Sequence, residues 1–172
     1  MSHGNQDPFR MGFLTAIEDA ERGFVGGLLV TNRFGRPLEF QCTAPVKPNR
    51  AQQILYGPTL RPFVLGELLG RTLLDKVGVK PHLVLVESEE ILDLRQHVPM
   101  SVAFLTTFAA NDAAQLPLGK HGIRFHSDFL SDRDEISKHT KGIPADADLC
   151  EPFERVREAL VETVRLGSAR TA

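Results

Sequence analysis

Apolar and polar positions change rhythm several times along the chain, and each rhythm implies an element. Phe13–Ile17 reads as a short strand, followed by a polar turn over Asp19–Gly23. Phe24–Thr31 is apolar and β-rich, Asn32–Arg36 holds turn formers, and Pro37–Thr43 alternates with period two. In that alternation Leu38, Phe40 and Cys42 share one face, and Glu39, Gln41 and Thr43 the other. The pattern predicts a hairpin with a Gly-containing loop and, with the first strand, a three-stranded antiparallel meander. Gly26 and Gly27 lie inside the second strand, where paired glycines mark a bulge or the close approach of another element.

Beyond the breaker segment Ala44–Pro48 the period becomes helical. Asn49 is placed to cap a two-turn helix over Arg50–Tyr56, which Gly57-Pro58 interrupts. A longer helix is expected over Thr59–Val77, with Leu60, Phe63, Val64, Leu68, Leu69, Leu73 and Val77 as its stripe. It carries Gly66 and Gly70 four residues apart, so a second backbone can approach that face. The sheet or a helix of the same chain could supply it, and so could a second copy in a homodimer. Leu83–Val86 is a buried-type strand, Ser88 a candidate cap for a helix over Glu89–His97, and Met100–Leu105 a second buried strand. Strand, helix and strand make a right-handed βαβ unit with parallel strands. A loop over 111–120, an edge strand over Gly122–His126 and a short helical segment from Ser127 follow, the last with a solvated charge cluster at Asp132–Glu135. Glu151–Leu166 is a helix with Phe153, Val156, Leu160, Val161 and Val164 inward and Glu154, Glu158 and Glu162 on another face. The expectation is a flexible tail over 1–11, a single α+β domain over 12–167 and a frayed end over 168–172. In that domain the meander joins the βαβ unit in one mixed sheet packed by helices, the C-terminal one included.

Composition narrows this picture modestly. The 172 residues are 42% apolar and 24% charged, enough for one ordinary hydrophobic core. Cys42 and Cys150 are too few and too far apart for a disulfide framework. The start MSHGNQDPFR lacks the basic and apolar regions of a signal peptide, and no apolar run approaches the roughly 18–20 residues of a membrane helix. A cytoplasmic protein without membrane contact is expected. The net charge of −2 hides an asymmetry: residues 1–86 carry +3 and residues 87–172 carry −5.

Candidate chemistry falls into four groups. His121, His126, Asp128 and His139, with Asp132, offer nitrogen and carboxylate ligands that would suit zinc in a metal-assisted hydrolase, though without paired-ligand spacing. Cys42 and Ser88 lie near strand ends, but Ser88 has an acidic surround that does not activate a nucleophile, and Cys42 is in phase with the core. Neither phosphate-binding glycine motif occurs. Arg33, Arg36, Glu39, Arg50, Gln53 and Tyr56 could form a polar ligand-binding surface, and Arg33, Arg36, Arg50 and Arg61 a weak anion or nucleic-acid face. That basic set is too sparse for a strong nucleic-acid footprint, so a nucleic-acid partner is not expected.

The runs Gly26–Val30, Gly35–Phe40 and Ile54–Gly57 resemble a family of uncharacterised bacterial proteins over about residues 13–105, and that resemblance implies no activity. In element order alone, a hairpin followed by a long helix is similar to roadblock/longin-like modules, which dimerise and bind partner proteins. Because no catalytic set is recognisable, the sequence favours a non-catalytic protein-interaction or regulatory module, without cofactor, that binds a protein partner or self-associates as a homodimer through Gly66 and Gly70.

Overall fold

Alternation within three adjacent strands determines the layering. In the computed structural model, which describes residues 8–170 except for the side chains of 168–170, β1 (Arg10–Asp19), β2 (Gly23–Asn32) and β3 (Pro37–Cys42) form the antiparallel meander. β4 (Leu83–Val86) joins β1 in parallel, β5 (Ser101–Thr106) joins β4 in parallel, and β7 (His121–Phe125) and β6 (Gln115–Leu118) complete the other side antiparallel. The seven strands run in the order β3-β2-β1-β4-β5-β7-β6. This is the expected mixed sheet of a single α+β domain.

The central strands β1, β2, β4 and β5 send alternate side chains to two separate cores. Met11, Phe13, Val25, Leu29, Leu83 and Leu85 meet Phe153, Val156 and Leu160 of the C-terminal helix α5 (Glu151–Arg170). Leu14, Phe24, Leu28, Val30, Val84 and Val86 meet Val64, Leu65, Leu69 and Leu73 from the helical stretch on the other face, with Ile91 and Leu94. The glycine pair serves both contacts. A Cβ on Gly26 would lie 3.0 Å from Leu69 Cβ, and one on Gly27 2.8 Å from Val156 Cγ1. Side chains there would push the covering helices off both faces of the sheet. The ladder irregularity in this hairpin lies instead at Val30/Thr31.

Several elements depart from the sequence reading. Phe9 and Met11 are buried and β1 begins at Arg10, so the expected tail over 1–11 does not extend to residues 9–11; positions 1–7 lie outside the described residues, as do 171–172 of the expected frayed end. α5 runs to Arg170, past Gly167. The helix expected over Thr59–Val77 changes pitch along its length. α1 (Arg50–Tyr56), capped by Asn49 as expected, leads through a 3-10 turn (Gly57–Thr59) to α2 (Leu60–Pro62). A π-helical segment (Phe63–Gly70) and α3 (Arg71–Lys76) follow. Pro62 removes an amide donor, and Gly66 and Gly70 weaken regular α geometry where the pitch changes. Glu89–His97 is a 3-10 helix, and Ser88 makes no side-chain cap bond to it. Nine residues at the 3-10 rise reach about 18 Å, against about 13 Å as α-helix, and so return the short crossover to the start of β5. The loop expected over 111–120 contains β6, which is the edge strand in place of β7. α4 (Ser131–Ser137) buries Asp132, contrary to the solvated cluster expected there. No helix among the described residues is long and apolar enough to cross a membrane.

Candidate functional site

The chain leaves β1 toward β2 and β3 on one side and returns to β4 on the other. β1 and β4 are parallel, with Leu14 opposite Val86 as their last pair. Where connections diverge in this way, the carboxyl ends of the two strands leave a crevice that nothing in the sheet fills. The next residues, Thr15 and Glu87, face each other across it.

That crevice is a cavity of about 300 Å³. Leu14, Leu65, Leu69 and Ile91 form its apolar floor, and Thr15, Arg61, Glu87, Ser88 and Arg157 bring polar groups to it. Each polar group arrives from a different element: Thr15 from β1, Glu87 from the end of β4, Arg61 from α2 and Arg157 from α5. Glu87 is their hub. Its Oε2 accepts from Thr15 Oγ1 at 2.8 Å and from Arg157 Nη1 at 2.5 Å. Arg61 lies between Glu18 at 3.7 Å and Glu90 at 3.5 Å, and over the face of Phe24. Glu87 and Arg157 are each more than a third exposed, so the pair is open to solvent and to a ligand. Two arginines beside an apolar floor suit a phosphate carried on a flat organic group.

The expected ligand-binding residues do not converge. Arg33 lies in a separate depression with Phe34, Gly35 and Arg155. The Arg36 amide donates to Asn32 Oδ1, closing the hairpin loop. Glu39 anchors the segment after α3, accepting from Gln41 Nε2 and from the amides of Gly78 and Val79. These donors, the Gln41 amide foremost, hold its carboxyl below the usual carboxylate range. Arg50 opens α1, Gln53 Nε2 donates to the Pro48 carbonyl, and Tyr56 stacks on Phe63. Gly66 and Gly70 are buried, Gly66 toward Ile91 and Leu94 and Gly70 toward Leu94 and Leu14, so the same chain occupies the face proposed for a second copy.

The expected histidine cluster also comes apart. His126 Nδ1 accepts the Asp128 amide, which leaves Nε2 to donate to Asp93 at 2.9 Å. His126 is thus a buried structural residue, with Asp128 as its turn. His139 stacks on Phe9 and His82 near the opposite ends of the strands. Among the described residues, His121 alone of the four belongs to a group of three ligand-type side chains, with Asp148 and Cys150. The Cys150 amide, more than any other group, keeps the Asp148 carboxyl below its ordinary range. Burial pushes the Cys150 thiol up, helped by Asp148, Glu87 and Glu154 and opposed by Arg157.

Sequence reading missed Thr15, Glu87, Arg157, Asp148 and Cys150 as site residues. The signal for Glu87 was present, because it directly follows a continuous apolar strand. Thr15 and Arg157 gave none, since only strand order brings residues 15, 87 and 157 together.

No protein-family model and no curated protein matches the chain. Solved structures do. Endonuclease V of Ciona intestinalis, in complex with a 23mer DNA containing an inosine followed by a ribo-adenosine, is similar at TM-score 0.50 and 10% identity, over 91% of this chain and 87% of that one. The catalytic domain of human endonuclease V matches at TM-score 0.46 and 12% identity, over 94% and 86%. The first likeness extends over nearly the whole sheet and its helices, and it establishes shared architecture. It corrects the expectation of a non-catalytic protein-interaction or regulatory module, and with it the protein partner, the homodimer and the exclusion of nucleic acid. The architecture is shared with an endonuclease crystallised on DNA, and the glycine face invoked for self-association is filled from within.

Proposed function

We propose that this protein binds a nucleic-acid strand across the carboxyl ends of β1 and β4 and hydrolyses a phosphodiester there. The observation that carries the reading is the placement of Glu87 between Thr15 and Arg157, with Arg61 on the rim, at the point where the strand order reverses. Arg61 and Arg157 supply the cationic contacts a phosphate needs, and the apolar floor gives a base or sugar a surface to rest on. A two-metal centre requires several oxygen ligands within a few ångströms. Among the described residues Glu87 is the only carboxylate lining the crevice, and Thr15 and Arg157 already engage it, so the residues do not fit such a centre.

The reaction is therefore assigned to the side chains. Arg157 shifts from Glu87 to the bound phosphate, which frees the carboxylate to hold a water. That water gives a proton to Glu87 as its oxygen bonds to phosphorus. The bond from phosphorus to the leaving sugar oxygen breaks, and that oxygen takes a proton from solvent. Arg61 and Arg157 stabilise the charge that builds on the phosphoryl oxygens. Two free cysteines suit a reducing, cytoplasmic setting for this chemistry.

End-labelled single-stranded and duplex DNA and RNA test the reading directly. Glu87→Gln should lower the cleavage rate by about 10²–10⁴-fold and leave binding within a few-fold. Absence of both cleavage and binding by the wild-type chain at low salt would sink the proposal.

A further inference from the structure

The group formed by His121, Asp148 and Cys150 lies outside the crevice. Its donor atoms, an imidazole nitrogen, a carboxylate oxygen and a thiol sulfur, all lie within 4.8 Å of one another. His121 opens β7, while Asp148 and Cys150 end the irregular segment before α5, so residues 27 and 29 positions apart meet through the fold. We propose that these three residues bind a zinc-class divalent cation, with a fourth coordination position left to water.

Donor chemistry and spacing support the assignment. Mixed nitrogen, oxygen and sulfur ligands select zinc and its neighbours, whereas magnesium and calcium take oxygen. His121 Nε2 lies 3.3 Å from Asp148 Oδ1. Two ligands each about 2.0–2.1 Å from a tetrahedral ion stand about 3.3 Å apart, so this pair already has the edge of a zinc tetrahedron. The Cys150 amide donates to Asp148 Oδ1 at 2.9 Å and orients the carboxylate, as outer contacts do in built sites. Cys150 is exposed, so its thiol can rotate toward that edge and deprotonate on binding. Lys120 Nζ lies 3.8 Å from Asp148 Oδ2, and its exposed side chain can swing into solvent. Three protein ligands with one open position is the arrangement of catalytic rather than structural zinc. A cation here would staple the start of β7 to the beginning of α5.

The test uses the tag-free full chain, stripped with a chelator and titrated with zinc chloride alone, then with cobalt as a spectroscopic probe. One equivalent of zinc should bind, and cobalt should show a thiolate charge-transfer band. Cys150→Ser should abolish that band and weaken zinc binding at least about tenfold, and His121→Ala should weaken it similarly. Cys42→Ser should change neither. Circular dichroism confirms folding; should His121→Ala unfold, Cys150→Ser decides alone. No stoichiometric zinc, or equal zinc binding by wild type and Cys150→Ser, would overturn the site. The readout is independent of cleavage, so the metal site and the nuclease reading stand or fall separately.

Discussion

Gly27 and Glu39 show how much a single residue carries here. A methyl group on Gly27 would meet Val156 and Leu160 at 2.8 and 3.0 Å, with the strand on one side and α5 on the other. Gly27→Ala should therefore cost about 1–3 kcal/mol through overpacking, lowering Tm by about 2–10 °C in a thermal melt. Glu39 acts through charge. Its carboxyl is held below its unfolded value by Gln41 and by the Val79 and Gly78 amides. A lowered carboxylate pKa adds stability above the unfolded value of about 4.3, and that stability is lost as pH falls through the lower folded value. The Tm difference between wild type and Glu39→Gln should thus be present at pH 7 and shrink below about pH 4; a difference that grew in acid would refute it. Both roles were partly legible beforehand. The glycine pair announced a close approach, but its two partners, more than 40 and more than 120 residues away, were not nameable. Glu39 stood out as a lone acid among arginines and read as a ligand contact, because residues 78 and 79 are distant in sequence.

At the scale of elements, α4 illustrates how a charge cluster changes meaning on burial. Asp132 accepts from Arg95 Nε at 2.7 Å and Nη2 at 3.3 Å, and that guanidinium lies 4.2 Å over Phe129 and also donates to the Val98 carbonyl. The pair pins α4 to the 3-10 crossover between β4 and β5. Asp132→Ala leaves a half-buried guanidinium unpaired and should cost about 3–5 kcal/mol by urea denaturation, whereas replacing both partners with apolar residues should cost far less. The elements whose own patterning settled their type were those with local signals: the β1–β3 meander, capped α1, β4, β5 and α5. The π segment and β6 were not legible. The helical stripe announced the first as helix but not its change of pitch, and the second is a four-residue edge strand that pairs with β7, too short to show a period of its own.

For the whole molecule, the proposed function makes a prediction about salt. If Arg61 and Arg157 hold phosphates, affinity for an oligonucleotide should fall steeply between about 50 and 200 mM salt, and each Arg→Ala change should reduce the log–log slope by about 1. Fluorescence anisotropy measures this, and slopes unchanged in both variants would place the strand elsewhere. The basic and acidic halves of the sequence bear on the same point, because they do not stay apart. Arg157 from the acidic half and Arg61 from the basic half line one crevice. By itself the sequence determined the class of the fold, because alternation and helical stripes are local properties that burial reads directly. It also excluded the familiar phosphate and metal motifs, which are contiguous. The tertiary structure decided everything that depends on strand order. Inserting β4 beside β1 rather than beside β3 creates the crevice and joins Thr15 to Glu87 and Arg157. Strand order is fixed by the total burial of two faces at once, a quantity no single window of sequence contains.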